Sequence, residues 1–142
     1  MLTLYLCCIF PEKRTPYLGV KTLDSMGADS ERQVMSNIVR IDTSSQLPAD
    51  PNAPGEYCVT PFFGENEKFF AGIWSADPHS QDFDKYPMDE VCVVLAGKIT
   101  LTEPGKSPEV FKTGDVFGIK RGTPVNWTQD PDTRKIFVIL ES

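Results

Sequence analysis

The residue best suited to chemistry in this sequence is Glu90, a carboxylate at the start of the apolar segment 91–95. Burial in such a segment would raise its pKa unless a cation or a hydrogen-bond donor lies beside it. A carboxylate perturbed in this way suits a general acid or base, or the polar anchor of a binding site. A structural ion pair or hydrogen bond explains the same residue equally well. The sequence leaves both roles open.

Cysteine and histidine, which supply the thiolate and imidazole groups of many metal and catalytic sites, are few in this sequence. The cysteines are Cys7, Cys8, Cys58 and Cys92, and their spacing fits neither a disulfide framework nor a paired zinc motif. We therefore expect free, buried thiols in a reducing cytoplasm. Cys92 is expected to be a small core residue, because no histidine lies near it in sequence to activate the thiol. The single histidine, His79, is expected on a surface loop.

Length and composition restrict the class of protein. A chain of 142 residues predicts one domain. The formal net charge of −6 and the absence of a basic cluster argue against a nucleic-acid partner. No segment has the roughly 18 apolar residues that a membrane-spanning helix requires. The apolar N-terminus lacks the basic residues and cleavage pattern of a secretory signal, so we expect a cytoplasmic protein.

Short strands must position Glu90. Residues 89–102 predict a β-hairpin that turns at Ala96 and Gly97, since glycine tolerates the positive φ of such turns. Alternation along the first strand places Glu90, Cys92 and Val94 on one face. We expect that face to line a closed barrel or a buried sheet.

The rest of the chain also consists of short strand-like segments separated by turns. A second hairpin is predicted over 57–63 and 68–74, and a long loop over 76–89. Short strands are predicted over 110–112, 116–119, 125–128 and 134–140, with turn signals between them. No segment in this half shows ten residues of helical periodicity. The sequence therefore predicts an all-β sandwich or barrel.

The N-terminal part differs in character from the strand-rich remainder of the chain. Residues 1–34 have no sustained periodicity and form an extension of uncertain structure, and Met35 reads as a plausible natural start. Residues 35–56 are predicted to be an N-terminal arm with a short strand over 38–41, followed by a proline-rich loop. The barrel is assigned to residues 57–142.

The run from about 72 to 140 resembles the cupin domain, a jelly-roll barrel also described as a double-stranded β-helix. Glu90 and Gly97 have the spacing that ends the first cupin motif, and Gly114, Asp115 and Gly122 have that of the second. The resemblance is greatest to uncharacterised cupins related to (S)-ureidoglycine aminohydrolase and to the ethanolamine-utilisation cupins. It implies an all-β cupin fold with an irregular N-terminal extension.

The resemblance breaks at the metal-ligand positions. Metal-binding cupins carry two histidines before the glutamate and a third in the second motif. Here the first-motif positions hold Phe83 and Lys85, or Asp84 and Tyr86 on a shorter spacing, and the second-motif position holds Val125. A single carboxylate does not hold a transition metal unaided. We therefore expect no metal and no cofactor.

The resemblance also implies which side chains face the barrel interior. Trp74, Tyr86, Glu90, Trp127 and Lys135 are the expected substrate-binding residues, with Lys135 or the Tyr86 phenol as the partner of Glu90. Tryptophans in small barrels are more often core residues than ligand contacts. A structural role in the core is therefore the alternative for Trp74 and Trp127. An apolar pocket with a few polar groups is the general form of a small-molecule site.

Two functions are compatible with this sequence. The first is a metal-independent cupin that binds a small polar metabolite, with acid–base catalysis as an extension of that role. The second is a non-catalytic structural or regulatory module that acts through self-association as a homodimer, with the arm from residue 38 to 56 packed on its partner. Binding has more support than any particular reaction.

Overall fold

The computed structural model describes residues 36–142, and within that range the protein consists of strands and connecting segments without a helix. No element of this part is a helix long and apolar enough to cross a membrane. The predicted extension over residues 1–34 lies outside the described residues. The nine strands are β1 Glu56–Phe63, β2 Phe69–Ala76, β3 His79–Phe83, β4 Asp89–Ala96, β5 Lys98–Thr102, β6 Glu109–Lys112, β7 Val116–Ile119, β8 Val125–Gln129 and β9 Arg134–Leu140.

The strands form two antiparallel sheets that face each other across the core. The larger sheet has the order β1-β2-β9-β4-β7, and the smaller one has the order β3-β8-β5-β6. Because side chains alternate along each strand, every second residue points between the sheets. Phe70, Ile99, Phe137 and Ile139 are among the buried residues that fill this space. The predicted all-β, cupin-type fold is confirmed.

The hairpin predicted over 57–74 is present, but the one predicted over 89–102 is wrong. β1 pairs with β2, whereas β4 pairs with β7 and β9 and β5 pairs with β6 and β8. The chain instead changes direction at Gly97, whose φ is 72°, and passes from the larger sheet to the smaller one. A Cβ there would lie 2.5 Å from Oγ1 of Thr133, so this crossing between the sheets requires glycine.

Two further predictions are corrected. The segment 76–89, predicted to be a loop with a surface histidine, contains β3, which pairs with β8 from His79–Gln129 to Phe83–Val125. Tertiary pairing overrides the weak strand propensity of these polar residues.

The strand predicted over 38–41 is absent, and Ile38 is exposed there. The described part of the arm pairs with β1 through the isolated bridge between Ala49 and Tyr57.

Candidate functional site

Glu90 lies between the two sheets. It is the second residue of β4, opposite Ile119 on one neighbouring strand and Ile139 on the other. Only 3% of Glu90 is exposed, whereas the next residue, Val91, points outward and is 46% exposed. The alternation predicted for this strand is therefore confirmed, and the carboxylate needs partners inside the barrel.

Lys135 supplies the charge that balances Glu90. It lies on the inward face of β9, the strand beside β4, and its Nζ is 2.6 Å from Glu90 Oε1. Burial opposes a positive charge at this position, but the Cys92 sulfur, 3.5 Å away, and the Glu90 carboxylate outweigh it and leave the pKa of Lys135 raised. The ammonium therefore persists in the core as one half of a desolvated ion pair.

Tyr86 occupies the second carboxylate oxygen. Its hydroxyl donates a hydrogen bond to Glu90 Oε2. Its backbone is held by two bonds to the β7–β8 loop, Tyr86 N to Thr123 O at 2.8 Å and Gly122 N to Tyr86 O at 2.7 Å. Burial, followed by the negative charge of Glu90, raises the pKa of the Tyr86 phenol. Tyr86 therefore remains a proton donor, and both oxygens of Glu90 are bound.

Aromatic rings enclose this polar cluster. Trp127 stacks on Tyr86 with the planes 7° apart and the ring centroids at 6.4 Å. Lys135 Nζ lies 4.5 Å from the ring centroid of Trp127 and 4.9 Å from that of Trp74. Such cation–π contacts add to the stabilisation of the buried ammonium. The fold thus brings together all five residues predicted for the site, while their contact with a ligand stays a prediction.

Sequence reasoning missed Glu56, the first residue of β1. It is 1% exposed, and its Oε2 accepts a hydrogen bond from Trp74 Nε1 at 3.0 Å. Burial, with a smaller contribution from Asp50, raises the pKa of Glu56 to about 7, although the Trp74 bond and Lys135 oppose the shift. Extending the predicted strand by one residue would have placed Glu56 on the same face as Cys58.

The cysteines follow the prediction only in part. Cys92 is fully buried and free, and burial, followed by Glu90, raises the pKa of its thiol, which makes it a core residue as expected. The expectation of free thiols is wrong for Cys58, which is disulfide-bonded. The cytoplasmic location inferred partly from free thiols stays a prediction.

The side chains around Glu90 do not fit a divalent metal. Within residues 36–142, no three His, Cys, Asp or Glu side chains are grouped so as to hold an ion. The carboxylate oxygens already bind the Lys135 ammonium and the Tyr86 hydroxyl. A metal ion here would lie against a buried cation, which Coulomb repulsion disfavours.

Comparison with known proteins identifies the family. A model described as the EutQ-like cupin domain matches residues 63–137, which is more than half of the chain. No curated protein matches this sequence at a significant level.

Solved structures show the same fold. The EutQ protein of Clostridium difficile is similar at 18% identity with a TM-score of 0.50, covering 60% of this chain and 61% of its own. A protein of unknown function from the DUF861 family of Pseudomonas syringae pv. tomato DC3000 has 26% identity and a TM-score of 0.54. The similarity covers 72% of this chain and 40% of that protein. A cupin superfamily protein of Desulfitobacterium hafniense DCB-2 has 12% identity and a TM-score of 0.51. The similarity covers 72% of this chain and 99% of that protein. The chain therefore spans less than two thirds of the first two of these proteins.

Proposed function

This chain belongs to the EutQ-like cupin family, and we propose that it binds a small polar metabolite between its two sheets without a histidine-held metal. The observation that carries this proposal is the buried cluster of Tyr86, Glu90 and Lys135, whose ammonium lies against the indoles of Trp74 and Trp127. A relation to (S)-ureidoglycine aminohydrolase is part of the same proposal.

The energetics of the cluster support a functional role. Replacing a buried ion pair by apolar residues of similar volume is often neutral or stabilising, so stability alone does not require Glu90 and Lys135. A fixed phenol, carboxylate and ammonium instead offer directed polar contacts inside aromatic walls, as small-molecule sites do. Acid–base catalysis would be an extension, with Tyr86 donating a proton to a bound ligand.

A thermal-shift screen with small amines, amino acids, carboxylates and ureides tests this proposal. Wild-type protein is compared with Tyr86→Phe, which removes one hydroxyl and keeps the Glu90–Lys135 pair. A ligand at 100 times its Kd stabilises the folded state by about 2.7 kcal/mol. We expect at least one compound to stabilise the wild type and Tyr86→Phe to reduce that shift.

Tyr57→Phe is the matched control, because the Tyr57 hydroxyl donates to Asp77 on the exposed side of the protein, 3.4 Å away. It should retain the wild-type ligand response. A panel without a stabilising compound, or equal shifts in the wild type and Tyr86→Phe, would contradict the proposal.

Self-association is a second candidate, favoured by the outer face of the larger sheet. Cross-strand register places Phe69 and Leu140 together on this face, and likewise Val116 beside Val93. Four apolar side chains of this face are exposed: Phe69, Val91, Val116, at 60%, and Leu140. Exposed apolar patches commonly mark contact surfaces. We propose that two copies pair through this face.

Light scattering after size-exclusion chromatography tests the pairing. We expect a dimer for the wild type and a monomer for the double variant Val91→Lys/Val116→Lys, since lysines on both strands oppose close contact. Val110→Lys, at an exposed valine of the smaller sheet, should remain dimeric. A wild-type monomer at high protein concentration would exclude this second function.

A further inference from the structure

Two buried hydrogen-bond acceptors lack partners among residues 36–142. They are Oε1 of Glu56, on the larger sheet, and Oε1 of Gln81, on the smaller sheet. Glu56 is opposite Ala76 on β2, and Gln81 is opposite Trp127 on β8; both partners are buried. Because residues in register share a face, both side chains point between the sheets. A buried acceptor without a donor destabilises the folded state.

The indole of Trp74 contacts Glu56 and two residues that neighbour Gln81 on the smaller sheet. Its Nε1 donates to Glu56 Oε2, while its ring makes edge contacts with His79 and Trp127, both at 6.2 Å between centroids. These two residues lie on the smaller sheet. Gln81 is on the same face of β3 as His79 and in register with Trp127. Glu56 and Gln81 therefore border one aromatic interior.

The charges of this interior do not balance when Glu56 is ionised. Glu90 and Lys135 neutralise each other at 2.6 Å, and Tyr86 is neutral with its pKa raised. Lys135 from β9 and Asp50 from the arm also act on Glu56. His79 faces Trp74, and burial lowers its pKa, so its ring does not supply a positive charge above neutral pH. The carboxylate of Glu56 thus leaves one negative charge that a cation could balance.

We infer that Glu56 and Gln81 are the acceptor pair of a site for a small primary ammonium ligand. The inference rests on the proposed function and names the chemical class of its ligand. An ammonium group carries three donors and no acceptor, which suits two acceptors that lack donors. The Lys135 ammonium already lies against the indoles of Trp74 and Trp127, so the polar contacts of the ligand are made by the two acceptors.

Binding is expected to displace a proton from Glu56. Below its pKa of about 7, the Glu56 carboxyl group holds a proton, and the ammonium ligand replaces that proton. Affinity should therefore rise about tenfold from pH 6 to pH 8, as the ionised fraction of Glu56 rises by that factor.

Calorimetry with n-propylammonium chloride tests the inference, with 1-propanol as the neutral ligand of the same shape. For the wild type we expect propylammonium to bind more tightly than propanol, with the tenfold pH effect. Titrations at pH 6 in two buffers of different ionisation enthalpy should show close to one proton released. Glu56→Gln should lose both the pH effect and the preference for the cation.

Gln81→Leu gives a second test if Glu56→Gln does not fold, and it should weaken propylammonium binding at least tenfold. Asp82→Asn is the control on the same strand, because Asp82 points outward and accepts from Asn126; its binding should match the wild type. Equal binding of propylammonium and propanol, or a pH effect retained in Glu56→Gln, would overturn the inference.

The inference and the proposed function fail separately. If another compound of the thermal-shift panel stabilises the wild type but not Tyr86→Phe, while propylammonium does not bind, the proposed function stands and the ammonium site is excluded. If neither propylammonium nor any panel compound binds, both are wrong.

Discussion

Lys135→Met is expected to destabilise the protein by about 3–5 kcal/mol, because it leaves the Glu90 carboxylate buried without its cation. Methionine keeps most of the side-chain volume, so the loss reports mainly on charge. Equilibrium unfolding in urea measures it, and the melting temperature should fall by on the order of 10 °C. The double variant Glu90→Gln/Lys135→Met removes both charges and should recover most of the lost stability.

Lys98→Met is the matched control for this effect. Lys98 pairs with Asp130 at 3.2 Å, but both side chains are exposed, and such pairs contribute about 0–1 kcal/mol. Equal losses in Lys135→Met and Lys98→Met would show that the Glu90–Lys135 pair is not desolvated. A double variant as unstable as Lys135→Met would show that the lost stability comes from packing.

Glu56→Gln is expected to change how stability depends on pH. The pKa of Glu56 is about 7 in the folded state, whereas the ordinary value for this side chain is 4.5. The folded protein therefore holds this proton more tightly than the unfolded chain does. The contribution of this proton to the free energy of unfolding is fully present below pH 4.5 and is lost as pH rises through about 7. The difference of about 2.5 pKa units corresponds to about 3 kcal/mol.

The measurement is the free energy of unfolding of the wild type and Glu56→Gln at pH 4.5 and pH 8. The advantage of the wild type over the variant should shrink by about 3 kcal/mol between these values. Glu103→Gln removes an exposed carboxylate that pairs with Lys106 and should show no comparable change, since such pairs contribute little. A pH-independent difference between the wild type and Glu56→Gln would contradict the assignment.

Alternation along single strands made much of the site predictable from sequence. The period of two placed Glu90, Cys92 and Val94 on one face before any partner strand was known. The family resemblance then indicated Lys135 and Tyr86 as partners of the carboxylate, and the structure places both on it.

The errors arose where tertiary pairing decides the local structure. One glycine between two apolar strands predicts a hairpin, but Gly97 lies against Thr133 and directs β5 to the other sheet. The polar segment beginning at His79 becomes a strand only because β8 pairs with it. Glu56 was missed because it comes after a proline-rich loop, and its burial depends on Trp74 of the next strand.

A crystal structure with the panel compound that stabilises the wild type most tests the central claim most directly. We expect a ligand between the two sheets, bounded by Trp74 and Trp127, with a polar atom about 2.6–3.2 Å from Tyr86, Glu90, Lys135 or Glu56. A ligand bound on the outer face of the larger sheet, with the barrel interior unchanged, would contradict it.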